Sequence, residues 1–256
     1  MILLGTMEKF QDRFLEEVKE KFKEKGIKAI LFDFDDTLIY TSELFKLYMD
    51  EFVLAVCEET GLNFEKVEGD LRRINDEKFK TMGVNPIRWQ EVVEEMSEGD
   101  SGYGDSPKNN LNILMKIYFT EPRVREGAEA VLQIVKRAGI KMALVTHANV
   151  EWTERKLLSS GFADYFESIK IVDENRHKSA EDWMEAVLDM DVNPEDCLVL
   201  GDSLPGDIIS ADSIGAKTMW LHNGSSWSVY KAGKVPEGTV HLDNVNELLS
   251  ALERLG

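Results

Sequence analysis

The stretch IKAILFDFDDTL, residues 27–38, sets three carboxylates directly behind an apolar run. Residues 29–33 read as a buried strand. Burying one carboxylate is costly, and crowding three together adds mutual repulsion. An Asp at a strand end often does no more than cap a turn. Three of them, Asp33, Asp35 and Asp36, followed by Thr37, call for a chemical reason.

Downstream of Pro122 short apolar runs alternate with helical patterns. Helix 125–139 precedes strand IKMALVT, and helix 150–161 precedes strand SIKIV. Helix 180–191 precedes strand DCLVLGD, and helix 206–215 precedes strand AKTMWL. Such alternation means βαβ units and a parallel sheet, to which the first strand belongs. Between them, residues 41–119 show helical periodicity only, with Ser42 as N-cap of the first helix. Within this block SEGDSGYGDSPKN, residues 97–109, reads as a flexible loop. The chain therefore divides into an N-terminal amphipathic helix within 1–26, an α/β core from 27–40 and 120–256, and a helical insert over 41–119. In the N-terminal helix, expected over 7–25, Phe10, Phe14, Val18 and Phe22 recur every four residues.

Composition narrows the function. The chain has 256 residues, 43% of them hydrophobic, enough for a sizeable core. A net charge of −18 repels phosphate backbones, so nucleic acid is not an expected partner. No apolar run reaches the roughly 18 residues of a membrane span, and no secretory leader is legible, so the expected location is cytoplasmic with no membrane partner. The two cysteines, Cys57 and Cys197, read as buried reduced thiols and are too few for a cysteine-only zinc site.

In an open parallel sheet ligands bind beyond the carboxyl ends of the strands. Asp33, Asp35, Asp36 and Thr37 stand at the first such end, and Thr146, His147 and Asn149 at the second. Lys178 follows the third, Asp202, Ser203 and Asp207 the fourth, and His222 and Asn223 the fifth. Taken singly each has a dull explanation. In this order DFDDTL, ALVTHAN, RHKSAEDW and GDSLPGDI resemble the four motifs of the haloacid dehalogenase-like hydrolases. The likeness runs from about residue 27 to the C-terminus, and the helical block resembles that family's α-helical cap of the first type.

The resemblance implies a Rossmann-like sheet of strand order 5-4-1-2-3 and a phosphoryl-transfer site. Asp33 matches the nucleophile and Asp35 the general acid–base. Asp33, Asp35, Asp202 and Asp207 form the expected Mg²⁺ set, since oxygen-only ligation suits a hard cation. Thr146, His147 and Lys178 are the expected phosphate-binding residues. An unperturbed Asp has a pKa of about 3.9, so Asp33 is expected to be ionised without a base. The acid at Asp35 argues for phosphate over halide as leaving chemistry. His147 replaces a frequent Asn and Ser179 a frequent Pro; SAED reads as a capping box that still starts a helix. The expected activity is Mg²⁺-dependent hydrolysis of a small phosphorylated metabolite. A phosphosugar mutase, or a Mg²⁺- and phosphate-binding protein without turnover, would use the same residues. Tyr40, Trp89 and Tyr103 are expected specificity residues.

Overall fold

The computed structural model describes residues 2–98, 102–222 and 228–256, with backbone alone for 2–10, 228 and 229. Its centre is β1 (Ala29–Phe32), whose four side chains are all buried. Ile30 and Phe32 enter one core layer with Ala128, Val131, Leu132 and Val135. Ala29 and Leu31 enter the other with Trp183, Ala186 and Val187. A strand covered on both faces needs apolar residues at every position, which is why the run shows no alternation.

The remaining strands are β2 (Ile39–Tyr40), β3 (Arg123–Val124), β4 (Lys141–His147), β5 (Ser168–Val172), β6 (Cys197–Gly201), β7 (Lys217–Leu221) and β8 (Val240–Leu242). The main sheet is parallel in the order β5-β4-β1-β6-β7-β8. Its first five strands follow the expected order. The sixth, β8, extends the edge beyond β7; three residues carry too little pattern to announce a strand. β2 and β3 form an antiparallel ribbon through which the chain leaves the sheet and returns.

Helix α1 (Ile2–Glu24) docks its last two turns, burying Val18 and Phe22, and Lys21 pairs with Glu253 at 2.6 Å. Phe14 is 41% exposed, so the apolar stripe is only partly covered. Between the ribbon strands lie α2 (Thr41–Thr60), α3 (Phe64–Met82), α4 (Arg88–Ser97), α5 (Ser106–Asn109) and α6 (Leu111–Met115). They share a core of their own, built on Phe52, Val56, Leu71, Trp89 and Leu114. Ser42 is not the cap of α2. Its amide donates instead to the Asp36 carboxylate at 2.8 Å, because the loop after β1 faces the helix start.

Part of the expected flexible loop, 99–101, lies outside the described residues. The rest is anchored at two points: Tyr103 is buried and donates to Asp70, and Ser106–Asn109 is helical with Ser106 and Pro107 buried. Helices α7 (Ala128–Arg137), α8 (Val150–Ser160) and α9 (Ala180–Asp189) return the chain across the sheet. Cys197 is buried, but Cys57 is only half-buried, correcting that expectation. Among the described residues no helix is long and apolar enough to cross a membrane.

Candidate active site

The Asp33 amide donates to Leu200 O at 2.9 Å, carrying the β1–β6 ladder one residue past the strand. This fixes the side chain at the carboxyl edge. Asp33 Oδ2 accepts from Thr37 Oγ1 at 2.9 Å and Oδ1 from Lys178 Nζ at 2.7 Å. The turn that follows needs a left-handed residue, and Asp36 supplies it at φ 58°. Arg125 donates to its carbonyl at 2.5 Å and holds the turn.

Asp35 lies two residues on but has different partners. Lys156 Nζ donates to both carboxylate oxygens at 2.6 and 2.7 Å, Thr41 Oγ1 to Oδ1 at 2.5 Å, and Thr146 Oγ1 to Oδ2 at 3.3 Å. Lys156 lies mid-helix in α8 with no motif around it, and only the fold shows its place. Among the described residues, Asp33, Asp202 and Asp207 offer oxygens within 4.8 Å of one another. The Asp35 carboxylate is not in that cluster, against the four-Asp metal set expected from sequence.

Lys178 sits just before α9. Ser179 and Asp182 form the capping box read from SAED, and Arg176 grips the Asp182 carboxylate with two nitrogens. The lysine is thereby set to make three contacts: Asp33, Asp207 Oδ1 at 2.7 Å, and Val145 O at 2.9 Å. Asp207 occupies a π-helical turn, Leu204–Ile209, a geometry common at functional sites. Its Oδ2 accepts from the Ser203 amide at 2.9 Å. Gly201 is required beneath it, since a Cβ there would come within 2.2 Å of Asp207 Oδ2.

Asp33, Asp36, Asp202 and Asp207 are all buried; the Lys178 ammonium contacts Asp33 and Asp207 and attracts Asp202, while Asp36 feels Arg125. Burial pushes Asp33 up to about 7, with Lys178 opposing and Asp207 adding to the rise. Burial also lifts Asp36 to about 7 and Asp202 well above the usual carboxylate range. The expectation of an unperturbed Asp33 is therefore corrected: desolvation outweighs the lysine. Asp202 Oδ2 is buried with no hydrogen-bond partner. An orphaned carboxylate oxygen within an all-oxygen, charge-rich cluster fits a hard divalent cation. His147 moves the other way, lowered to about 4 by burial and then by Lys178, so it is neutral at pH 7.

These residues floor a cleft of about 430 Å³ between the sheet edge and the helical insert. Asp33, Asp35, His147, Lys178, Asp202 and Asp207 line it. Thr146 is fully buried and does not. The opposite wall comes from residues that sequence reading passed over, among them Phe45, Phe79, Arg88, Trp152 and Tyr230. The expected specificity aromatics are elsewhere. Trp89 is buried and donates to Tyr118 OH at 3.1 Å, Tyr103 packs against Lys66 and Asp70, and Tyr40 lies under Arg123 and Arg125. His222 pairs with Asp243 at 3.3 Å, and Asn223 lies outside the described residues.

Comparison with known proteins bears on family and fold. Residues 27–215 match the family model for haloacid dehalogenase-like hydrolase. The glyceraldehyde 3-phosphate phosphatase of Pyrococcus furiosus is 27% identical, over 78% of this chain and 82% of its own. The N-acylneuraminate-9-phosphatase of Mus musculus is 24% identical, over 82% of this chain and 85% of its own. A haloacid dehalogenase-like hydrolase from Xanthomonas campestris superposes with a TM-score of 0.69, covering 89% of this chain and 91% of that one at 17% identity. With an aspartate-bearing strand end, a buried lysine and a convergent acid cluster in one cleft, and with the family model matched over most of its length, the chain belongs to the haloacid dehalogenase-like hydrolases.

Proposed function

We propose that this phosphatase hydrolyses a small phosphate monoester through an aspartyl-phosphate on Asp33. The observation that carries the reading is Asp33 itself. Its carboxylate faces the cleft, oriented by Lys178 and Thr37, beside an Asp202 oxygen that lacks a partner. Asp33 attacks phosphorus and the ester oxygen leaves with a proton from Asp35. Asp35 then takes a proton from the water that cleaves the acyl phosphate. For both steps Asp35 must exchange its bonds to Lys156, Thr41 and Thr146 for the substrate, which frees the Thr146 hydroxyl for the phosphoryl oxygens. Lys178 balances the phosphoryl charge, and neutral His147 borders the same space.

The Asp33 and Asp202 carboxylates would hold Mg²⁺, and Asp207 would stand beside it bound to Lys178. When bound, the ion neutralises the acid cluster and lowers the charge barrier to an anionic substrate. The helical segment 41–119 acts as a cap that shields the reaction from water. The names of the relatives, which are phosphatases of small phosphorylated compounds, support the substrate class, and a small phosphorylated metabolite as substrate accords with work in the cytoplasm. Phosphate release from a panel of monoesters with Mg²⁺, comparing wild type and Asp33→Asn, tests the proposal. Release by the wild type alone supports it. Equal rates in the two proteins would remove Asp33 from the mechanism.

A further inference from the structure

Arg88 is the feature of the cleft that phosphoryl transfer leaves unused. It lines the cleft, yet it is only 2% exposed. One nitrogen donates to Gly83 O, and Nε has no hydrogen-bond partner. The guanidinium lies 5.2 Å from the Phe79 ring centroid and 5.3 Å from that of Trp89; Asp76 attracts it from a distance, without an ion pair among the described residues. Burial disfavours the charged form of Arg88, and the distant Asp76 offsets it only in part. A structural role would be served by a neutral donor to Gly83 O at lower cost.

Two more observations point the same way. The insert contributes Lys80 and Arg88 to the cleft and no acid, whereas all five cleft carboxylates come from the core. In a chain with 48 acidic and 30 basic residues, that separation is marked. Trp152 Nε1, a donor only, and His147 Nε2 are also buried without partners on the cleft wall.

The arginine is also held in place. Gly83, at φ 55°, lies so near Glu174 that a Cβ would come within 2.3 Å of its carbonyl. The Val84 amide donates to that carbonyl at 3.0 Å and Asn85 Nδ2 to Asn175 Oδ1 at 2.8 Å. The turn bearing Arg88 is thus clamped to the loop that leads into Lys178.

We propose that Arg88 receives a second anionic group at the far end of the substrate, so that the enzyme selects phosphomonoesters bearing a carboxylate or a second phosphate. This rests on the phosphatase reading above. The same cleft is lined by Phe45, Phe79 and Tyr230, an apolar surface that suits a short carbon chain.

The test uses chains of two to five carbons carrying one phosphate and, at the other end, a carboxylate, a second phosphate or a hydroxyl. Binding to the Asp33→Asn protein with Mg²⁺ is measured by calorimetry, and phosphate release with the wild type. For at least one length, an anion-bearing compound is expected to bind at least tenfold more tightly than its hydroxyl partner. The carboxylate and bisphosphate arms show which anion is taken. Adding Arg88→Gln should collapse that ratio towards one, and Arg88→Lys should restore part of it, with thermal melts reporting the fold. A ratio within twofold at every length, or one unchanged by Arg88→Gln, overturns the proposal, and the first outcome needs no Arg88 variant. Hydrolysis without discrimination refutes the Arg88 role alone. Discrimination in binding without hydrolysis refutes the phosphatase reading alone.

Discussion

Replacing Lys178 by Met tests how the site is held together. The Lys178 side chain is 5% exposed and contacts Asp33, Asp207 and Val145 O at 2.7, 2.7 and 2.9 Å. Methionine fills similar volume but leaves two buried carboxylates facing each other and one orphaned carbonyl. Breaking a buried pair from one side costs about 3–5 kcal/mol. The carboxyls relieve part of this by taking up protons, and burial already holds Asp33 at about 7 with the lysine present. Stability of Lys178→Met should therefore fall as pH rises from 5 to 8, and fall more steeply than in wild type. Asp207→Asn removes one of the two stranded charges. In a double-mutant cycle the pair should show coupling of about 2 kcal/mol, leaving the double variant no less stable than Lys178→Met. Urea unfolding in EDTA at pH 7 measures the cycle. Phosphate release with Mg²⁺ should drop about a hundredfold in both Lys178→Met proteins, since stability regained does not return the charge. A Lys178→Met cost below about 1 kcal/mol, or a cycle additive within about 0.5 kcal/mol, would refute this account of the site.

Asp33→Asn should abolish phosphate release. It should also flatten the pH dependence of the chelated protein, because an acid raised to about 7 contributes stability below about pH 4 that is lost as pH climbs to 7; thermal melts across that range are the check. His147→Gln should act on the acid side. A histidine depressed to about 4 contributes stability above pH 6.5 that is lost as pH falls towards 4, so the variant should resist mild acid better, by about 2 kcal/mol at pH 4.5 in urea titrations. If it melts in parallel with wild type from pH 7 to 4.5, His147 is not held neutral by its surroundings. Gly201→Ala should cost activity without touching substrate, since the new methyl displaces Asp207; unchanged phosphate release would show that Asp207 has room to move.

Much of the fold is written in local pattern. The period of the apolar residues separates strands from helices. The four motifs fall at strand ends because each ends a run long enough to be recognised. Both signals depend on residues a few positions apart, so a single chain displays them. β8 escaped because three residues carry too little period. Local pattern points to Ser42 as a cap, but its partner, Asp36, comes from a preceding loop rather than from the helix.

The site shows the same division more sharply. The sequence by itself determined which carboxylates and which lysine stand at the carboxyl edge. It could not determine how they pair. Asp33 and Asp35 lie two residues apart, yet one bonds Lys178, 145 residues away, and the other Lys156, 121 residues away. Nor could it assign the aromatics. Trp89 and Tyr103 looked like cleft residues and pack in the insert's own core, while Arg88, next to Trp89, lines the cleft. Adjacent helical residues point about 100° apart, so which one meets the ligand is set by how the whole insert sits on the sheet. Charge state was decided there too. An Asp that would ionise near pH 4 in solution is raised to about 7 by desolvation, and only the packed structure removes the water.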